Sequence, residues 1–424
     1  MNKKAWVISV NMGYGHQRTA YPLKSLATEG KIINANDYPG IPKKDRETWE
    51  TARRFYEFIS KFKRVPLVGE FGFFIFDQFQ RIISFYPKRD LSKPNFQLKQ
   101  IFSLIKRGWG RDLIAKCKMQ NAKLPFISTF FTPAFMAEYF NYPGEIFCIV
   151  CDADISRTWA PFNPKASRIK YFAPNDRVVE RLKLYGIRED NIFLTGYPLP
   201  QDLVGSENLE ILKENLRYRL LNLDPQKRFF QHYEPLVEKH LGELSQESNH
   251  PLTLMFAVGG AGAQKEIGIK VAKKLAQKTK NKKIKIVLVA GIKEKTKEYF
   301  QKNTRGLDVE IIFEKDIENY FQKFNQALRQ TDILWTKPSE LSFYSALGMP
   351  IIIAPAIGSQ EEFNKRWLLK SGFGDSQGNP SNTDQWLFDW LEKGYFAEHA
   401  MQGFIEGEKL GTLKIKEIIE KCSG

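Results

Sequence analysis

With 424 residues, 42% of them hydrophobic and 26% charged, the chain is long enough for two or three domains that each bury a core. That composition excludes a disordered or collagen-like polypeptide. The formal net charge of +16 is uneven: residues 1–200 carry 32 Lys+Arg against 18 Asp+Glu, residues 201–424 carry 32 against 30, and residues 51–125 alone carry 16 against 5. A basic face of this kind attracts nucleic acid, an anionic lipid surface or a phosphorylated substrate. The longest apolar runs, Phe71 to Phe76 and Met349 to Ile357, fall far short of the ~20 residues that span a bilayer. The N-terminus holds Lys3 and Lys4 but no long apolar stretch or small-residue cleavage site, so a cytoplasmic location is the expectation.

In chain order, Ala5–Val10 reads as a strand, followed by a glycine-containing turn and a helix to about Ala27; Lys31–Asn34 is a short second strand. Residues 46–118 read as largely helical, with loops around Pro87 and Pro94. Strands follow at Leu124–Thr129, Ile146–Val150, Ile169–Ala173 and Ile192–Thr195. Residues 205–250 turn acidic and polar and read as a linker with a helical insertion. A second alternating block has strands at Leu252–Val258, Ile284–Ala290, Val309–Phe313, Ile333–Trp335 and Pro350–Ala354, and the chain is helical from Asn382 onward. Alternation of this type predicts an α/β protein of two Rossmann-like doubly wound lobes facing a cleft. The expected boundaries are 1–204, a linker at 205–250, 251–395, and a C-terminal helix at 396–424 that returns to the N-terminal lobe. Ligands of such sheets sit outside the C-terminal strand ends.

Three strand-to-helix junctions stand out. Gly13-Tyr14-Gly15-His16 follows the first strand and opens a helix; its third position, Arg18, spoils a dinucleotide fingerprint, and His16 is placed to act as a general base near neutral pH. Gly259-Gly260-Ala261-Gly262 follows the strand at 252–258 and leaves room for a diphosphate against a helix start; without a GK[ST] ending it is not a P-loop. Ser339-Glu340 follows the strand at 333–335, and Gln360, Glu361 and Asn364 follow the next; carboxylates and amides of this type bind ribose and sugar hydroxyls. Cys148 and Cys151 are spaced as CxxC but lie in an apolar strand pattern with no second CxxC, so they read as core thiols.

Taken together and in this order, these motifs resemble glycosyltransferases of the GT-B fold, most closely family 28 and its monogalactosyldiacylglycerol-synthase-like branch. Further stretches carry the resemblance: Asp152-Ala153-Asp154-Ile155-Ser156-Arg157-Thr158-Trp159, Leu194-Thr195-Gly196-Tyr197-Pro198, and Ala346-Leu347-Gly348-Met349-Pro350. The resemblance implies that the N-terminal lobe binds the acceptor, through Gly13, Tyr14, Gly15, Asp152 and Trp159, with His16 as the base. It implies a C-terminal lobe that binds a nucleotide-sugar, usually UDP-linked. There Gly259, Gly260, Ala261 and Gly262 would face the diphosphate, Phe313 and Glu314 the base, Ser339 and Glu340 the ribose, and Gln360, Glu361 and Asn364 the sugar. Asp152-Ala153-Asp154 also spells DxD, a metal motif of a different glycosyltransferase fold, but GT-B enzymes need no such ion, and no metal or other cofactor is expected beyond the nucleotide-sugar co-substrate.

Aromatic and basic residues interleave over 53–111, from Arg53-Arg54-Phe55-Tyr56 through Phe71–Phe76 to Lys106-Arg107-Gly108-Trp109. This pattern fits rings among lipid headgroups with cations on phosphates; core aromatics beneath a solvated basic face, or a single-stranded nucleic acid surface, remain alternatives. The resulting expectation is an inverting hexosyltransferase acting on a lipid or lipid-linked hydroxyl at the inner membrane face. A nucleotide-sugar epimerase or hydrolase on the same fold, or an inactive membrane-surface binding protein, stays open.

Overall fold

The structure is a computed structural model that describes residues 4–62, 82–257 and 262–422. The chain divides into two compact units: Met1–Pro198 with Ile357–Phe363 and Leu410–Gly424, and Leu199–Ala356 with Asn364–Lys409. The core of the basic aromatic run, 63–81, and the glycine-loop residues 258–261 lie outside the described residues.

Unit 1 is a six-stranded parallel sheet with the order β2-β1-β3-β4-β5-β6. Its strands are β1 (Trp6–Ser9), β2 (Ile33–Asn34), β3 (Phe126–Ser128), β4 (Ile146–Ile149), β5 (Lys170–Ala173) and β6 (Ile192–Leu194). β1, β3 and β4 are buried throughout, as a parallel sheet covered on both faces requires. On one face Ala5, Val7, Leu23, Ile127, Phe147 and Phe172 form a core, with the Phe147 and Phe172 rings stacked 5.0 Å apart. Helices α1 (Tyr14–Ala20), α2 (Lys43–Phe62), α3 (Phe96–Lys106), α4 (Arg111–Asn121), α5 (Phe131–Tyr139) and α6 (Asp176–Leu184) connect the strands. The chain leaves β1 toward β2 and then returns to place β3 on the other side of β1, so the winding direction reverses between β1 and β3.

Unit 2 repeats the plan with the order β12-β11-β10-β7-β8-β9, again all parallel. Its strands are β7 (Thr253–Ala257), β8 (Lys285–Gly291), β9 (Glu310–Phe313), β10 (Ile333–Thr336), β11 (Ile351–Ile353) and β12 (Gly374–Ser376). Here the winding reverses between β7 and β10.

Three differences from the sequence reading have physical causes. β12 was not expected, because Gly374-Asp375-Ser376 has no apolar pattern; it joins the sheet through backbone pairing with β11, and a Cβ on Gly374 would lie 2.0 Å from the Ile351 carbonyl oxygen. The segment expected as a linker with a helical insertion is helical, and its helices α7 (Glu210–Leu223) and α8 (Arg228–Leu241) belong to unit 2 and do not stand apart as a linker. Leu212, Leu216, Leu220 and Leu223 supply the buried stripe of α7, and its acidic residues lie on the other faces. The C-terminal helix expected at 396–424 is two helices with different allegiances. α14 (Tyr395–Glu406) belongs to unit 2, where Gly403 lets it approach the Ser345 carbonyl, whereas α15 (Gly411–Cys422) places Ile415 and Ile419 in the unit 1 core. The other long α-helices in this half of the chain are α9 (Lys265–Lys274), α10 (Glu294–Asn303), α11 (Ile317–Leu328), α12 (Ser359–Lys370) and α13 (Thr383–Glu392).

Candidate functional site

A cavity of about 730 Å³ lies outside the C-terminal ends of β1, β3 and β4, and every described residue lining it belongs to unit 1. This is the position where an open α/β sheet holds ligands, because adjacent loops diverge where the winding reverses. Met12 and His16 come from the turn after β1, Phe130, Phe131 and Thr132 from the junction after β3, and Asp152, Ser156, Thr158 and Trp159 from the loop after β4. α2 contributes Lys44, Glu47, Thr48, Thr51 and Ala52, one stripe at helical spacing, together with Trp49. α3 contributes Gln97, Gln100, Ile101 and Leu104 in the same way, and Trp109 follows it.

The turn after β1 depends on Gly13, whose φ of 109° and ψ of 177° are open to glycine alone. No atom lies within 4 Å of where its Cβ would stand, so the requirement is backbone conformation and not space. The turn delivers His16 to the cavity wall, with its Nδ1 2.8 Å from the Thr129 carbonyl oxygen. A carbonyl only accepts, so Nδ1 carries the proton in the neutral ring and Nε2 is the basic nitrogen. The Cys151 thiol lies 3.5 Å from the same Nδ1.

Aromatic rings make up much of the wall. Phe130 stands edge-on to His16 at 4.8 Å and contacts Phe131 at 4.2 Å, Trp159 at 6.2 Å and Trp49 at 6.5 Å, while Trp49 packs on Trp109 at 4.6 Å. Among the described residues the charged lining is sparse: Lys44 against Glu47 and Asp152.

The expected acceptor residues divide into two groups. His16, Asp152 and Trp159 line the cavity; Gly13, Tyr14 and Gly15 do not, and the Tyr14 side chain is buried. In the DxD sequence Asp154 is buried and bidentate to Arg181, with both contacts at 2.8 Å, so only Asp152 faces the cavity. Among the described residues no cluster of His, Cys, Asp and Glu is arranged to hold a metal ion. Cys148 is fully buried on β4, and burial pushes its thiol pKa well above the ordinary range.

Of the expected donor residues, Gly259, Gly260 and Ala261 lie outside the described residues. Gly262 (φ 65°) follows β7, Phe313 and Glu314 end β9, and Ser339 and Glu340 follow β10, all on the C-terminal edge of the unit 2 sheet. Glu314 forms a 2.8 Å ion pair with Lys323, and the Lys297 ammonium sits 4.6 Å from the Phe313 ring centroid. Ser339 and Glu340 open a 3₁₀ helix, Glu340–Leu347. Asn364 is buried and donates to the Pro338 carbonyl at 3.3 Å, which gives its amide a structural task. Gln360 belongs to unit 1 and lines the cavity, and Glu361 accepts from the Ile357 amide at 2.6 Å.

Residues that the sequence reading did not select include Trp49, Glu47, Phe130, Phe131 and Ile101. Their signal was present as a polar stripe at helical spacing in 44–52 and as the Phe130-Phe131 pair opening a helix after β3. Linking them to His16 requires knowing that β3 pairs with β1.

Comparison with known proteins gives modest similarity. A family model described as a domain of unknown function (DUF6938) matches residues 244–319. The processive diacylglycerol beta-glucosyltransferase of Bacillus subtilis is 22% identical over 241 residues, 55% of this chain, and the match spans about half the length (52%) of that relative. Among solved structures, a UDP-GlcNAc 2-epimerase from Neisseria meningitidis bound to UDP-GlcNAc aligns at 14% identity and TM-score 0.45, covering 78% of this chain and 84% of that one. MurG from Acinetobacter baumannii aligns at 12% identity and TM-score 0.44, covering 77% and 78%. The chain thus resembles family 28 glycosyltransferases in sequence, and its two six-stranded parallel sheets are the doubly wound folds that a GT-B protein contains. Among the described residues no helix is long and apolar enough to cross a membrane.

Proposed function

We propose that the chain is a glycosyltransferase that moves a sugar from a nucleotide-sugar, UDP-linked by resemblance, to the hydroxyl of a lipid acceptor with inversion at the anomeric carbon. The observation that carries this reading is His16, held by the Thr129 carbonyl on the wall of an aromatic cavity at the winding reversal of unit 1. The acceptor hydroxyl donates to Nε2 of His16, and its oxygen forms the new bond to the anomeric carbon as the bond to the diphosphate oxygen breaks. The proton ends on His16, and the Thr129 carbonyl, already bonded to the Nδ1 proton, favours the imidazolium that results. Asp152, on the same cavity, accepts a hydrogen bond from the acceptor and orients it.

Trp49, Trp109, Phe130 and Trp159 suit an apolar acceptor body. Among the described lining residues, one lysine stands against two carboxylates, a poor seat for a phosphate-bearing headgroup, which favours a neutral lipid. The sequence relative's name, a diacylglycerol glucosyltransferase, supports the same direction, and the basic excess of residues 51–125 suits attachment at an anionic membrane surface. The donor sits on unit 2, with the loop between β7 and α9 (Lys265–Lys274) against its diphosphate and Glu340 on its ribose.

The test is transfer from UDP-sugars to neutral lipid acceptors in mixed micelles, with a UDP-sugar-only reaction in parallel. His16→Ala should lower kcat by about 10²–10³-fold while leaving UDP affinity within about twofold. A wild-type chain that consumes the UDP-sugar equally well without acceptor is an epimerase or hydrolase, and unchanged turnover in His16→Ala removes the imidazole from the chemistry.

A further inference from the structure

The loop 152–159 supplies four of the cavity's lining residues, Asp152, Ser156, Thr158 and Trp159, yet it has no regular ladder to hold it beyond the short 3₁₀ turn Arg157–Trp159. A short irregular segment keeps its side chains in place only if its backbone groups are bound from outside. Here the Tyr171 hydroxyl on β5 donates to the Trp159 carbonyl at 2.9 Å, and α6 with its two capping residues holds the first half of the loop. The Asp154 carboxylate accepts from Nε and Nη2 of Arg181 on α6 at 2.8 Å each, and from its own following amide, Ile155 N, at 2.9 Å. Asn175, the N-cap of α6, donates to the Ala153 carbonyl at 3.2 Å, and the Tyr185 hydroxyl at its other end donates to the Ile155 carbonyl at 2.7 Å. Arg181 is fully buried and Asp154 is 5% exposed, so neither is available to substrate.

Arg181 also carries the strap beyond the loop. Its Nη1 donates to the Ile83 carbonyl at 2.8 Å, and Arg157 donates through Nε and Nη2 to the Ser92 carbonyl at 3.0 and 2.6 Å. The described arm 82–92 is thereby tied to the loop that carries Asp152.

We infer that Asp154 and Arg181 are positioning residues: the buried pair fixes the turn that presents Asp152 to the acceptor, and the two aspartates of the DxD sequence divide recognition from support. This deepens the glycosyltransferase reading and rests on it for its kinetic consequence. The pair touches no substrate, so its removal acts through Asp152. A displacement of about 1 Å of an orienting group is enough to cost about 10²-fold in turnover.

A double-mutant cycle on acceptor kinetics provides the test. Asp154→Asn should lower kcat/KM for the acceptor by about 10²-fold and leave KM for the nucleotide-sugar unchanged. Combined with Asp152→Asn it should add almost nothing to the loss caused by Asp152→Asn alone. Full additivity, or an equal loss in donor KM, would overturn the assignment and leave the pair as general scaffolding. Because Asp154→Asn leaves a buried guanidinium half-paired and can fail to fold, Tyr185→Phe serves as the milder variant, with a smaller loss in the same direction and the same non-additivity with Asp152→Asn. Hydrogen exchange separates this inference from the activity. Tyr185→Phe should speed exchange at the amides of 152–159 at least tenfold more than elsewhere in unit 1, even if no sugar transfer is found. Unchanged exchange there rejects the strap.

Discussion

His16 owes its tautomer to a group that no side-chain substitution can remove, the backbone carbonyl of Thr129. The motif around it was visible in the sequence because Gly13 is required by φ and His16 follows at a helix start. Its carbonyl partner and the Phe130 edge contact were not visible, since they arrive from a strand about 110 residues away. The cysteines make a simpler contrast at the same scale. None of the four is in a disulfide; burial pushes the Cys117 thiol up to about 12 and Cys148 higher still, while Cys422 is only partly buried. A thiolate is the reactive form, so Ellman's reagent added to native protein should titrate one thiol quickly, Cys422, and the other three only after denaturation. Fast loss of two or more thiols would contradict the burial of Cys151 beside the imidazole.

At the scale of elements, the helices between the two alternating blocks show where sequence reading stopped short. Acidic, polar composition suggested a linker with a helical insertion; the helices belong to unit 2, and beside the leucine stripe of α7 one buried cation ties them to it. Arg219 on α7 donates to the Thr331, Leu347 and Gly348 carbonyls, at 2.8, 2.8 and 3.2 Å, tying down chain ends that have no helical partners of their own. Burial draws its pKa down to about 10, which still leaves it charged at neutral pH. Arg219→Met should therefore cost about 3 kcal/mol in urea denaturation, because several buried carbonyls lose their donor. Arg219→Lys should recover only part, since an ammonium does not reproduce the planar fork. β12 is held by a second contact, half-buried. His399 on α14 is bonded to the Gly372 carbonyl at 2.8 Å and to Asp375 on β12 at 3.0 Å. Burial pulls the imidazole pKa down, but these two acceptors outweigh it and raise the value above 6.5; the same bond holds Asp375 below 3.8. The His399 contribution is complete below pH 6.5 and is lost as pH rises through its raised folded pKa. The Asp375 contribution is complete above pH 3.8 and is lost as pH falls through its depressed one. Melting temperature should thus decline from pH 6 toward pH 8.5 in the wild type, and less steeply in His399→Gln.

For the molecule as a whole, the sequence displayed nearly every strand, because fully buried parallel strands read as short apolar runs. Strand order was not legible, as it depends on crossovers that leave no local signal, and strand order is what brings the loops after β1, β3 and β4 around one cavity. Charge distribution is the other whole-chain property, and it concentrates in the first half. Vesicles rich in anionic lipid should therefore bind the protein at low ionic strength and release it as salt shortens the Debye length from about 10 Å at 0.1 M to about 3 Å at 1 M. Neutral vesicles should bind weakly at every salt concentration. Retention on anionic vesicles at 1 M salt would place the attraction in apolar insertion and not in charge.

The helix Gly411–Cys422 fills the core of the unit that begins with β1, its Ile415 and Ile419 lying among Ala5, Val7 and Phe147. During synthesis, then, β1 leaves the ribosome about 400 residues ahead of the helix that covers that side of its sheet. The nascent protein spends this interval with an apolar face open to chaperones, and a stop codon placed before Gly411 would harm unit 1 first.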